Sequence, residues 1–208
     1  MMNIKKSLLL LRRYLGSYFT YRCVSCEKYV RDCCLCKECG SKIFPITEKY
    51  ENAAFGYYYD GPAREVMLRY KFGKDSDFCK DTLCSWLCEA YNKFEYEKFD
   101  FAVCVPSFSK KETRLSVLAK EFCLEKDVLF SPAVLKKIRQ TEKQHKLSGD
   151  ERRKNLIGAF EAENSVCGKT VLLIDDIYTT GSTVMECSKA LYAKGAAKVC
   201  VLAIFKTR

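Results

Sequence analysis

An α/β fold with a mostly parallel sheet, carrying a small cysteine-rich appendage at its N-terminal end, is the architecture this sequence predicts. Three observations lead there. Short apolar runs suited to strands recur near residues 53, 101, 128, 171 and 199 and alternate with stretches of helical periodicity. That alternation is missing at the N-terminal end, where six of the 14 cysteines fall between Cys23 and Cys39. Neither internal repeats nor a Pro- or Gly-rich linker interrupt the chain, and the boundary falls near residues 41 to 50, giving units of 1–45 and 46–208.

With 208 residues, 48% of them hydrophobic, the chain can bury the core of one ordinary domain with a small addition, and it is not a disordered polymer. Thirty-six Lys and Arg against 26 Asp and Glu leave a formal charge of +10, which favours anionic partners such as nucleotides, pyrophosphate or nucleic acid. The first residues are basic, but the apolar patch Leu8 to Leu11 is cut short by Arg12 and Arg13 and is followed by no small-residue cleavage site. A secretory signal is therefore not expected, nor is a membrane span. The expected compartment is the cytoplasm, where thiols stay reduced and clustered cysteines point to metal.

Taken in order, residues 4–19 read as an amphipathic helix with Ile4, Leu8, Leu11, Tyr14 and Leu15 on one face. Cys23-Val24-Ser25-Cys26, nine residues, and Cys36-Lys37-Glu38-Cys39 form paired CxxC knuckles. Four thiolates at that spacing converge on one tetrahedral ion with no open position, the pattern of a structural Zn²⁺. Cys33 and Cys34 offer alternatives, since Cys33 to Cys36 is another CxxC register. Ala53 to Tyr59 suggests a strand ending in Asp60-Gly61-Pro62, with Pro62 fitted to the first position of a helix through Val66, Met67 and Tyr70. A second helix spans 77–91, with Phe78, Leu83, Trp86, Leu87 and Cys88 inward; Cys84 and Cys88 read as buried small hydrophobes. Phe101 to Val105 is a buried strand, and the loop from Ser107 to Lys111 carries two lysines ahead of a helix from Glu112 to Leu124. In an open sheet such a loop collects an anion.

Between Leu135 and Phe160, eight Lys and Arg face three acidic residues, a local excess of five. Ser148 is placed to cap a helix running to Asn155. Such a density suits a loop that closes over a polyanion or a track for nucleic-acid phosphates. The lone histidine, His145, reads as a surface residue.

The most informative stretch runs from Val171 to Val184. Val171 to Ile174 suggests a short strand buried on both faces, with Asp175 and Asp176 following its C-terminal end and then a hydroxyl-rich turn, Thr179-Thr180-Gly181-Ser182-Thr183. Val184, Cys187, Ser188, Leu191 and Tyr192 continue as a helix that Gly195 ends, ahead of a last strand from Lys198 to Phe205. Unpaired N–H groups and the positive end of the helix dipole make this turn an anion site. The adjacent carboxylates are expected near water, accepting hydrogen bonds from sugar hydroxyls or lying close to a divalent cation.

This segment resembles the phosphoribosyl-pyrophosphate signature of type I phosphoribosyltransferases. The resemblance implies a sheet of that kind, with Asp175 and Asp176 as catalytic residues on the ribose 2′ and 3′ hydroxyls. It also implies that Thr179, Thr180, Gly181, Ser182 and Thr183 hold the 5′-phosphate and that Mg²⁺ accompanies phosphoribosyl pyrophosphate. Lys110, Lys111 and Arg114 would correspond to the early loop that holds pyrophosphate.

Nearly the whole chain is similar to the ComF family of competence-associated proteins. The similarity runs through the four-cysteine finger, Tyr59 to Arg64, Lys71-Phe72-Gly73, Gln140-Thr141-x-x-Gln144-x-x-Leu147, Glu151-Arg152-Arg153-x-Asn155 with Gly158-Ala159-Phe160, and the DDIYTTGST loop. Where family members usually carry Arg-Gly-Phe-Asn-Gln, this chain reads Lys111-Glu112-Thr113-Arg114-Leu115-Ser116. The ComF resemblance implies a role in natural transformation, handling single-stranded DNA together with an ATP-driven translocase. A different class of function is a non-catalytic module in which the anion loop and Lys136, Lys137, Arg139, Arg152 and Arg153 hold a single-stranded DNA backbone.

Overall fold

Four strands form the central sheet: β3 (Ala53–Tyr58), β4 (Phe101–Cys104), β7 (Thr170–Tyr178) and β8 (Lys198–Lys206). They lie in the order β3-β8-β7-β4, and every neighbouring pair is parallel. The computed structural model describes residues 20–31, 33–73, 76–108, 111–141 and 155–208. The helix expected at 4–19, the helix expected after Ser148, His145, Lys110, Arg152 and Arg153 lie outside the described residues.

Parallel strands need both faces covered, and the sequence supplies two apolar sets by alternation along each strand. Leu172, Ile174, Leu202 and Ile204 face α2 (Gly61–Phe72), α3 (Ser76–Tyr91) and α4 (Arg114–Lys126), meeting Met67, Leu83, Leu87 and Phe122. Val171, Leu173, Val201 and Ala203 face α5 (Ser182–Ala193), meeting Val184, Cys187 and Leu191. Two further short strands, β5 (Leu135–Lys137) and β6 (Phe160–Ala162), pair antiparallel on this second face and enclose the basic stretch between them.

Helix boundaries follow the local chemistry. Pro62 occupies the first turn of α2, where its missing N–H costs nothing. Thr113 caps α4, its Oγ1 accepting from Ser116 N at 3.1 Å, so this helix starts two residues later than expected. Among the described residues no helix is long and apolar enough to cross a membrane.

The N-terminal cysteines lie on short elements that join the first core. Strands β1 (Thr20–Arg22) and β2 (Tyr29–Arg31) form an antiparallel hairpin, and α1 (Lys37–Gly40) is a single helical turn. These elements rest on α3: Tyr21 stacks on Phe78 with ring centroids 3.9 Å apart, and Cys34 Sγ donates to Thr82 Oγ1 at 3.2 Å.

Two expectations need correction. No strand forms near 128: Phe130 makes one parallel bridge to Ala102, and then Pro132, which has no N–H to continue a ladder, opens a turn of 3-10 helix over Pro132–Val134. Strand β7 does not stop at Ile174. Its pairing with β8 continues through Asp175 opposite Ala203, Ile177 opposite Phe205 and Tyr178 opposite Lys206. Asp175 and Asp176 are therefore strand residues.

Gly56 in β3 tests how tightly the layers fit. A Cβ there would lie 2.7 Å from the Ile204 carbonyl oxygen and 3.4 Å from that of Trp86, both backbone atoms that cannot swing aside. Gly56→Ala is expected to destabilise by about 1–3 kcal/mol, read as a fall in Tm of roughly 3–10 °C for a chain of this size in thermal unfolding followed by circular dichroism.

Candidate phosphate-binding edge and cysteine centre

At the C-terminal edge of the sheet, β4 and β7 lie side by side while their following helices leave on opposite faces, α4 with the first core and α5 with the second. A crevice opens where strand connections diverge in this way. The loops after Cys104 and after Tyr178 border it.

Asp175 and Asp176 follow one another near the C-terminal end of β7 and have different partners. Asp176 lies on the α2 side, where Lys71 Nζ pairs with its Oδ2 at 2.6 Å. Asp175 lies toward α5, and its Oδ1 accepts from the Asp176 N–H at 2.8 Å. Burial, with the Asp176 carboxylate adding to it, pushes the Asp175 carboxyl up to about 8, against the opposing pull of the Asp176 N–H and Lys71. Both carboxylates are half-buried at the sheet edge. Lys71 was not singled out as a site residue by the sequence. Its position in the Lys71-Phe72-Gly73 segment was the available signal, but only the fold brings α2 against β7.

The loop after β7 turns through Gly181, whose φ of 72° lies in the left-handed region. A Cβ at Gly181 would fall 2.3 Å from the Tyr178 hydroxyl, so backbone and ring occupy space that only glycine leaves open. Helix α5 begins at Ser182 directly after this turn, and Met185 N is the first to donate back, to Gly181 O at 2.8 Å. The N–H groups of the first turn of α5 face this loop, and Ser182 N donates to Thr180 Oγ1 at 3.5 Å. Thr180 Oγ1 and Ser182 Oγ lie 2.9 Å apart, clustering hydroxyls at the same helix end. Thr179 and Thr180 are exposed, and Ser182 is buried. The arrangement offers an anion backbone N–H groups, hydroxyls and the helix dipole together.

The other predicted basic residues divide. Lys111 is exposed in the loop after β4. Arg114 opens α4 with its guanidinium 5.5 Å from the Tyr70 ring centroid, and its carbonyl accepts from the Tyr70 hydroxyl at 2.7 Å, tying this loop to α2. Lys136 pairs with Glu163 at 2.7 Å. Lys137 donates to Thr141 Oγ1 at 2.6 Å, and burial pulls its ammonium below its ordinary value. Arg139 Nη2 donates to the carbonyls of Asn155 and Ile157 at 2.9 and 3.0 Å, bracing the two ends of the basic stretch.

The Cys23, Cys26, Cys36 and Cys39 Sγ atoms all lie within 4.8 Å of one another, and the structure gathers them as the spacing predicts. Cys26 and Cys36 Sγ are 3.6 Å apart, close to the ~3.8 Å that a tetrahedral ion with 2.3 Å metal–sulfur bonds imposes. The Cys39 N–H donates to Cys36 Sγ at 3.4 Å, the inward-facing amide of a knuckle. Burial would raise the Cys23 thiol, but the Cys36, Cys26 and Ser25 amides bring it down to about 6. Cys33 and Cys34 stay outside the group: Cys33 Sγ donates to Leu35 O at 2.9 Å, and Cys34 is fully buried against α3. Four convergent sulfurs form a closed donor set able to hold a metal ion.

Known proteins are similar to this chain in sequence. The Phosphoribosyl transferase domain family matches residues 90–208. Over 200 residues the chain is 25% identical to Competence protein F of Haemophilus influenzae, covering 85% of this chain and 86% of that protein. It is 29% identical over 147 residues to Competence protein ComFC of Bacillus subtilis, covering 68% of this chain and 58% of that one. A shorter stretch of 69 residues is 45% identical to DNA utilization protein YhgH of Escherichia coli O157:H7, covering 33% of this chain and 30% of the relative's length.

Two outcomes follow from the site. Because Asp175 has a folded-state pKa near 8, above the ~3.9 of an unfolded aspartate, the folded chain holds a proton that the unfolded chain has released between those values. Its contribution to stability is full below about pH 4 and is lost as pH rises through about 8. Asp175→Asn keeps the acceptor for Asp176 N–H and removes the charge, so it should stabilise by on the order of 2 kcal/mol at pH 8.5 and by little at pH 5. Urea titrations at the two pH values check this. Gly181→Ala, forced into a left-handed backbone against Tyr178, should cost about 1–2 kcal/mol in the same assay.

Proposed function

This chain belongs to the phosphoribosyltransferase family, as a ComF-like member, and on that premise we propose that it binds phosphoribosyl pyrophosphate, or a ligand bearing the same pentose 5-phosphate, and serves DNA uptake in the cytoplasm. The observation that carries the reading is the continuity of β7 into α5, which sets two carboxylates and an open helix N-terminus within a few residues of each other at one sheet edge.

In this reading the 5-phosphate lies against the N–H groups of Ser182, Thr183 and Val184 and the hydroxyls of Thr179, Thr180, Ser182 and Thr183. Asp175 and Asp176 take the vicinal ribose hydroxyls, which requires Asp176 to share or exchange its contact with Lys71. Lys71 is then more than a counterion. It stands where negative charge accumulates and belongs with Lys110, Lys111 and Arg114 among the groups that face the diphosphate. Two adjacent carboxylates with hydroxyls in the next loop fit the oxygen donors that Mg²⁺ takes alongside substrate phosphates. Mg²⁺ bound with the ligand supplies neutralisation of the diphosphate charge.

The four N-terminal thiols fit Zn²⁺ in a structural role, holding the hairpin to α1 on the surface of α3. The division proposed is that of a zinc-bearing unit over residues 1–45 and a ligand-binding domain over 46–208.

DNA enters this reading through the relatives, which carry the names competence protein and DNA utilization protein. A net charge of +10 supports a second reading, a single-stranded DNA module without catalysis. Part of its basic track is already engaged within the fold, because Lys136 is paired with Glu163 and Arg139 donates to two carbonyls. Under either reading an ATP-driven translocase is the partner proposed.

Calorimetric titration of phosphoribosyl pyrophosphate with Mg²⁺ into the wild-type chain and into Asp175→Asn/Asp176→Asn separates the readings. Micromolar binding lost by at least tenfold in the double variant is expected. No binding of the pentose ligand, together with tight, salt-sensitive binding of single-stranded DNA that both proteins share, would overturn the first reading in favour of the second.

A further inference from the structure

The two helices that cover the first face of the sheet carry a second group of metal-ligating side chains. Cys84 and Cys88 lie one turn apart on α3, and Glu125 lies in the last turn of α4. One sulfur from each cysteine and a Glu125 carboxylate oxygen all fall within 4.8 Å of one another, and Cys84 Sγ is 3.9 Å from Glu125 Oε2. A zinc-class ion with 2.3 Å bonds to sulfur and about 2.1 Å to oxygen needs sulfur–oxygen separations of roughly 3.6 Å, a few tenths away.

The preceding turn of the same helix pair shows what this position calls for. Lys80 Nζ of α3 meets Glu121 Oε2 of α4 at 2.6 Å in a nearly buried ion pair. Four residues further along both helices, the α4 residue is again a glutamate, Glu125, but α3 presents Cys84, with Cys88 behind it. Where one turn supplies an ammonium to face a carboxylate, the next supplies two thiols. Two thiols and a carboxylate gathered at one turn are a donor set that a thiophilic cation can hold once the thiols lose their protons.

From this geometry we infer a second metal site, built from Cys84, Cys88 and Glu125, that takes a thiophilic divalent ion of the zinc class. Each thiol loses its proton to solvent as its sulfur binds the ion, and Glu125 completes three protein ligands. The remaining position is left to water or an outside ligand, unlike the closed four-sulfur set at the N-terminus. Cys84 and Cys88 are 2% and 7% exposed while Glu125 is exposed, so an ion approaches from the Glu125 side. The site cross-links α3 to α4, the helix that follows β4 at the phosphate-binding edge, and does not depend on what that edge binds.

The test is metal stoichiometry of the full chain, stripped under reducing conditions and then titrated with Co²⁺ and with Cd²⁺, counting ions by native mass spectrometry and following thiolate charge-transfer absorption. The wild-type chain is expected to take two ions. Cys84→Ser/Cys88→Ser and Cys23→Ser/Cys26→Ser should each take one. Glu125→Gln, an exposed change that leaves the core intact, should keep the first ion and weaken the second by roughly tenfold or more. Uptake of a single ion by wild type, or a second ion indifferent to both Glu125→Gln and Cys84→Ser/Cys88→Ser, would overturn the inference. If the double cysteine variant does not fold, Glu125→Gln alone decides it.

Discussion

The parallel pairing of β7 with β8, carried past Ile174 to Tyr178, is the constraint on which the rest of the molecule depends. Because the strand continues through the acidic pair, Asp175 and Asp176 are carried together to the C-terminal edge of the sheet. There Asp176 meets the lysine of α2, and Asp175 accepts from the Asp176 N–H. The same persistence fixes where the chain can turn. Tyr178 is still hydrogen-bonded, its carbonyl accepting from Thr207 N at 3.0 Å, so reversal into α5 has to be completed at Gly181 with a positive φ. Carboxylates, turn and helix N-terminus are thus placed by one strand register and not by three independent choices.

Electrostatics at this edge are in tension. Two carboxylates beside one lysine leave an excess of negative charge, and burial together with the Asp176 carboxylate pushes the Asp175 carboxyl up to about 8. Next to them, a helix N-terminus and a cluster of hydroxyls favour an anion. A ligand combining vicinal hydroxyls with a phosphate satisfies both halves, donating hydrogen bonds to the acids and accepting them at the loop. Neither a bare phosphate nor a neutral sugar does so. At the far end of the chain the cysteine centre answers a different physical need, because a hairpin of two three-residue strands and a single helical turn buries too little to hold itself.

Sequence reading succeeded where the signal was local. The apolar run Val171 to Ile174, Pro62 at a helix start, the paired CxxC spacing and the TTGST turn each carry their structural meaning in a few neighbouring residues. It failed where partners are distant. Aspartate is disfavoured in strands, so nothing nearby indicated that β7 would continue through Asp175 and Asp176. The run Val128 to Phe130 looked like a strand until Pro132 stopped it. Lys71 reaches Asp176 across 105 positions, and Glu125 joins Cys84 across 41. Those cysteines therefore read as small hydrophobes when only their own helix was in view.

The central claim is that one edge, built by β7 and α5, recognises a pentose and its phosphate together. A crystal structure of the chain with ribose 5-phosphate tests it most directly. The account predicts the phosphate against the N–H groups of Ser182, Thr183 and Val184, with the ribose 2- and 3-hydroxyls on Asp175 and Asp176. A phosphate seated instead among the basic residues between Lys136 and Lys154, with Asp176 still paired to Lys71 and the loop at Gly181 empty, would contradict it.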